Sequence, residues 1–156
     1  MPAPTIDPIT TDIAGIIACI PHQLGSVPEP STLVVCALAE GRHTATLTLP
    51  LANALLAGAP DVVADAVREN NGDAVVIVAY HEATIQTVAD IATHLGMALD
   101  HRGLEVIGVI QVGTITDTWR RMAGWADDDE DVPMSGRYSE LSDHPALAQL
   151  RAQDQE

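Results

Sequence analysis

Phenylalanine and lysine are absent from this chain, and two tryptophans and two tyrosines are its only aromatic residues. A surface that stacks successive nucleobases needs aromatic faces, so the composition argues against that kind of binder. Without lysine no P-loop lysine can grip a phosphate, and neither GxGxxG nor GxxxxGK[ST] occurs, which sets aside P-loop nucleotide hydrolysis. No segment reaches the roughly 18 apolar residues of a membrane span. The opening MPAPTIDPITTDIAG has no basic region, and its apolar continuation stops at Pro21, so no secretory signal is read there. Cysteine is limited to Cys19 and Cys36, both in apolar surroundings without CxxC spacing, and they are expected to be reduced core thiols. HExxH does not occur, and His94 with His101 lacks the i, i+4 geometry and the glutamate of a zinc helix. No metal and no cofactor are expected, and the expected location is the cytoplasm.

Positive charge is scarce as well. Seven arginines stand against 22 aspartates and glutamates, for a formal net charge of -15. Phosphate backbones would be repelled, so direct nucleic-acid binding is not expected. The acidity is compatible with GC-rich coding, solubility or a salt-adapted proteome. It also allows an acidic decoy that occupies a host protein's nucleic-acid site, whose binding would weaken steeply with salt.

What is present is aliphatic. At 156 residues the chain fits one domain able to bury roughly 70% of its unfolded surface. Thr10, Thr11 and Asp12 offer helix-capping acceptors, and Ile13, Ile16, Ile17, Ile20 and Leu24 form a helical stripe, with a kink expected at Pro21 and an end near Gly25. Ser31 to Ala39 reads as a buried strand, and Arg42 to Leu49 as its hairpin partner, with Arg42, Thr44, Thr46 and Thr48 on a wetter face. A short helix over Leu51 to Ala57 is expected, then a longer one over Pro60 to Asn71 with Val62, Val63, Ala66 and Val67 inward. Asp73 to Tyr80 is apolar on both faces, as a central parallel strand must be. A helix over Thr84 to Leu99, with Ile85, Val88, Ala92, Leu95 and Leu99 inward, leads to a strand over Leu104 to Val112, which makes a right-handed β-α-β unit. Thr114 to Met122 is expected to add a final antiparallel strand with Ile115 and Trp119 facing the sheet. The fold class is therefore α/β: a single domain over residues 1–125 with a mixed sheet of about five strands packed with helices. Residues 126–156 are expected to form an acidic loop, Asp127 to Asp131, and a C-terminal tail in which Pro145 to Gln153 is either a short helix or a frayed end.

The segment IPHQLGSVPEPSTLVVCAL, the threonine-rich return strand and GDAVVIVAY together resemble the actinobacterial domain-of-unknown-function family 4192. The Pro-x-x-Leu-Gly, Pro-x-x-Ser-Leu-Val-Val pattern is matched by Pro21, Leu24, Gly25, Pro28, Ser31, Leu33, Val34 and Val35, with Thr32 inserted after the serine. The likeness runs from about Ile13 to Trp119, and the ending SDHPALAQL is similar to the family's tail helix. The Gly-Arg-Trp-Trp and Cys-Cys-Pro elements common in the family are replaced here by DTWRRMAGWADDDEDVP, in which Trp119 stands as a remnant of the first. The resemblance implies an α/β fold and an actinobacterial or actinobacteriophage origin, and little chemistry.

Candidate sites are few. Tyr80-His81-Glu82 falls just past the carboxyl end of the central strand, where open α/β sheets bind ligands, and a histidine beside a carboxylate suits proton transfer near neutral pH. The same pair also suits the start of the next helix. His22, near Glu29 in the Pro/Gly elbow, joins His81 and Glu82 as a catalytic candidate if the elbow folds over the same strand ends; otherwise it is a polar passenger of a chain turn. Ser31 lacks the GxSxG elbow, and Asp100-His101 reads as a helix C-terminus complemented by an imidazole. Trp119, Arg120, Arg121 and Trp125 form the one basic-aromatic cluster and are candidate binding-interface residues; the competing role is to cover a sheet end and answer nearby aspartates.

The expected function is a non-catalytic protein-binding or assembly module, self-associating because an aliphatic hairpin leaves a sheet edge to cover. A small-ligand protein or enzyme centred on His81 and Glu82 is the alternative, and the acidic decoy is the second. Catalysis has no motif to support it.

Overall fold

The computed structural model describes residues 13–39, 42–81, 86–124 and 135–139. Three helices and six strands follow in the order α1 (Ile13–Leu24), β1 (Thr32–Ala39), β2 (Arg42–Pro50), α2 (Ala59–Glu69), β3 (Ala74–Tyr80), α3 (Gln86–His101), β4 (Glu105–Gly113), β5 (Thr118–Gly124) and β6 (Ser135–Gly136). A short 3-10 helix over Leu51–Leu55 follows β2. The strands make one mixed sheet in the order β2-β1-β3-β4-β5-β6. Only β3 and β4 are parallel, joined through α3, and the other neighbours are antiparallel. The α/β class and mixed sheet are as the hydrophobic pattern implied, with the two-residue β6 added from the stretch assigned to the loop and tail.

β3 lies between β1 and β4 and is buried along its whole length, which is why its sequence lacks polar alternation. Its side chains divide strictly by parity. Ala74, Val76, Val78 and Tyr80 pack with Ile16, Ile17, Cys19 and Ile20 of α1, together with Val34, Cys36 and Leu38 of β1 and Ile110, Val112 and Trp119 farther across the sheet. Val75, Ile77 and Ala79 pack on the opposite face with Val63, Ala64 and Val67 of α2 and Ala92, Leu95 and Leu99 of α3. The sheet is therefore a middle layer with α1 on one side and α2 and α3 on the other. Each fully buried leucine or isoleucine contributes roughly 1.5–3 kcal/mol. The Arg102–Asp61 ion pair (2.7 Å), which links the end of α3 to the start of α2, is largely exposed and adds at most about 1 kcal/mol. Burial against the sheet holds the layers.

Helix α1 continues through Pro21 to Leu24 and ends where Gly25 takes φ 85, a left-handed value that glycine adopts without a Cβ penalty; its N–H donates to the Pro21 carbonyl (2.9 Å). Both cysteines are buried and outside any disulfide. Two local expectations are corrected. On α2 the buried residues are Pro60, Val63, Ala64 and Val67, while Val62 is 69% exposed: the helix settles on the i, i+3, i+4, i+7 stripe that includes the small Ala64, which lets it sit close to the sheet. Thr114 to Asp117 form a turn instead of a strand start, and Ile115 is 80% exposed. Asp117, at φ 57, closes that turn, and β5 begins at Thr118. Ile85, the acidic run 127–131 and the tail helix expected over 145–153 lie outside the described residues.

Candidate functional site

The carboxyl ends of β3 and β4 meet the elbow that follows α1. The Ser31 N–H, held at φ 67, donates to the Tyr80 carbonyl (2.6 Å), and the Ser31 carbonyl accepts from the Leu51 N–H (2.7 Å). The elbow thus closes over the end of β3, and its serine acts through its backbone. His81 is half-buried; its N–H donates to the Val112 carbonyl (2.9 Å) and its carbonyl accepts from Gln111 Nε2 (2.9 Å). His22 is half-buried in the last turn of α1, whose Leu24 packs on the α1 side of the sheet. Glu82 lies outside the described residues, so the His81–Glu82 pair has no geometry to describe.

Cross-strand register builds a second constellation on the α1 side. Tyr80, Val112, Trp119 and Gly136 stand in one row across β3, β4, β5 and β6, and Ile110 with Arg121 forms part of the row beside it. Tyr80 and Trp119 belong to the core there, and Tyr138 packs against it. Of the candidate interface residues, Trp119 is 4% and Arg121 7% exposed, Arg120 is exposed, and Trp125 lies outside the described residues. Trp119 therefore covers the sheet end, and Arg120 is the cation of the cluster that faces outward. Arg121 lies two residues beyond Trp119 and pairs with Ile110 in unbroken register, which puts it on the α1 face; the register shifts only after it.

Burial raises the Tyr80 phenol above its ordinary range, with the nearby Tyr138 and Cys36 adding to the effect, and burial also raises Tyr138. Both phenols therefore stay protonated hydrogen-bond donors. Among the described residues, neither the Tyr80 hydroxyl nor Arg121 Nη1 has a hydrogen-bond partner. At the turn between β4 and β5, the Asp117 carboxylate accepts from the Ser139 N–H (2.5 Å) and Oγ (2.8 Å), and Arg137 Nε lies 3.4 Å away. These contacts, led by the Ser139 hydroxyl and backbone bonds, hold the Asp117 carboxyl below the usual carboxylate range. The sequence alone assigns Tyr138 and Asp117 no role. The available signals were an aromatic in an aromatic-poor chain and an Asp inside a threonine-rich turn.

Two concave surfaces lie on the opposite side of the sheet. One, of about 280 Å³, is lined by Thr93, Gly96, Met97, Asp100 of α3 and Val106 and Val109 of β4. The larger, about 630 Å³, runs between β2 and α2 and is lined by Leu47, Leu49, Leu56, Ala59, Val62 and Ala66 among others. Among the described residues, no three His, Cys, Asp or Glu side chains are grouped to hold a metal ion, and no helix is long and apolar enough to cross a membrane.

No curated protein and no solved structure matches the chain. The profile of the family described as a domain of unknown function, DUF4192, matches residues 14–154, from the second residue of α1 through all six strands, and the chain belongs to that family.

Proposed function

We propose that this domain is a non-catalytic protein-binding or assembly module that self-associates through the outer edge of β2 and the groove beside it. The observation that carries this is the junction of an open strand edge with exposed apolar side chains. Among the described residues β2 pairs with β1 alone, and the adjoining groove presents Leu56 and Val62, which are 61% and 69% exposed. A nine-residue edge strand with this neighbour is a template for pairing. The groove lining includes no acidic residue, so two chains of net charge -15 can approach there without stacking carboxylates. Antiparallel pairing of β2 with β2 of a second copy closes on a twofold axis and brings the two grooves side by side.

Analytical ultracentrifugation of the purified chain tests this. A dimer is expected, converted to a monomer of unchanged circular dichroism by the joint substitutions Leu56→Asp and Val62→Asp. A wild-type chain that stays monomeric at high micromolar concentration overturns self-association.

A second reading, a small-ligand or enzymatic site around His81, Glu82 and His22, is favoured by the Ser31–Tyr80 backbone bond, which brings the elbow to the same strand end. Its test is whether His81→Ala and His22→Ala abolish binding of the same compound in a metabolite screen by mass spectrometry; independent effects would sink it.

A further inference from the structure

We infer that the α1 side of the sheet, where β3 and β4 end and β5 begins, holds a binding site for a compact anionic group, a carboxylate or a phosphate, gripped by Arg121 and the Tyr80 hydroxyl. This site lies on the face opposite the β2 groove and does not depend on the assembly reading.

Arg121 is the starting point. Its side chain is more than nine-tenths buried, and Nη1 has neither solvent nor a hydrogen-bond partner. A guanidinium cannot shed its proton at any ordinary pH, so an unpaired buried one is strongly unfavourable unless an anion answers it. The chain has acids to spare, 22 against seven arginines, and other arginines find partners within it. Arg102 pairs with Asp61, Arg137 approaches Asp117, and Arg68 donates to the Arg102 carbonyl. Among the described residues Arg121 Nη1 has no such partner, and an anion bound from solution would supply its complement.

The surroundings specify that complement. On the same face the Tyr80 hydroxyl is also buried and unpartnered among the described residues, Val112 and Ile110 of β4 stand between the Tyr80 and Arg121 positions in the cross-strand lattice, and Trp119 and Tyr138 belong to or pack against the same cluster. A guanidinium and an indole N–H only donate, and both phenols are kept protonated by burial. A set of donors around a fixed positive charge in apolar surroundings fits an acceptor-rich anion. A water molecule would satisfy one donor and leave the charge unanswered. Carboxylate and phosphate both present the paired oxygens that a guanidinium binds in bidentate fashion.

The test is thermal unfolding at fixed ionic strength, with inorganic phosphate in one arm, succinate in a second and sodium chloride as the reference. A saturable rise of a few degrees in Tm over the chloride reference is expected in at least one arm. Response to phosphate alone assigns a phosphoryl ligand, and response to succinate alone assigns a carboxylate. The rise should be lost in Arg121→Met, which replaces the buried charge with an apolar chain of similar length. It should be weakened several-fold in Tyr80→Phe, which keeps the ring and the packing. No saturable rise in either arm, or an equal rise in Arg121→Met, overturns the proposal. Neither outcome bears on the dimer, which is read by a different measurement on different residues.

Discussion

The Trp119 indole lies so close over Gly136 that a Cβ on this glycine would stand 2.5 Å from Nε1 and 2.7 Å from Cε2. The two residues are register partners, so this contact joins the two-residue β6 to β5 and seats the indole over the end of the sheet. Gly136→Ala must displace either the ring or β6. A loss of about 1–3 kcal/mol is expected from overpacking, with a shift in Trp119 fluorescence read in a Trp125→Phe background. An unshifted emission maximum would show that the ring does not rest there.

Asp117 links the β4–β5 turn to Arg137 and Ser139, and its carboxyl is held below its ordinary range chiefly by the Ser139 bonds. A depressed carboxyl stabilises above the unfolded aspartate pKa, about 3.9, and that contribution is lost as pH falls through the lower folded value. Protection of the Ser139 amide should therefore weaken below about pH 4. Asp117→Asn tolerates the left-handed backbone and should remove this acid dependence. A Ser139 amide whose protection in the native chain is flat across that range would count against the link.

Tyr80→Phe removes a buried hydroxyl that has no partner among the described residues. In anion-free buffer the variant should be about 1 kcal/mol more stable than the native chain, measured by urea unfolding. A marked loss of stability would mean that the hydroxyl is satisfied in solution.

Ile77 and Ile115 separate core from turn. Ile77 is fully buried in β3, and truncation to alanine should cost about 2–5 kcal/mol. Ile115 projects from the turn, and Ile115→Ala should change stability by less than about 0.5 kcal/mol. Comparable losses at both would restore the strand expected over Thr114 to Met122.

Where a segment's own residues decide its state, the sequence was sufficient. The unbroken apolar run of β3 demanded burial on both faces, the isoleucine stripe of α1 had a single face to bury, and Gly25 supplied the stop after Leu24. The buried thiols of Cys19 and Cys36 followed from their apolar neighbours. The family and the α/β class were legible for the same reason.

Tertiary structure decided the rest, because it turned on partners far along the chain. Val62 and Ala64 are equally apolar on a helical wheel, and only close packing against the sheet buries the smaller one and leaves the larger beside β2. Alternating threonines in 114–118 suit strand and turn alike, and the choice went with Asp117, whose carboxylate is held by Ser139, 22 positions on. Arg121 sits in a polar-looking stretch, yet its pairing with Ile110, in register with Trp119 and Val112, puts it on the α1 face beside the row that carries Tyr80. Local patterns report how much surface an element must bury. Which face it buries, and which polar groups are carried in with it, is settled by cross-strand register.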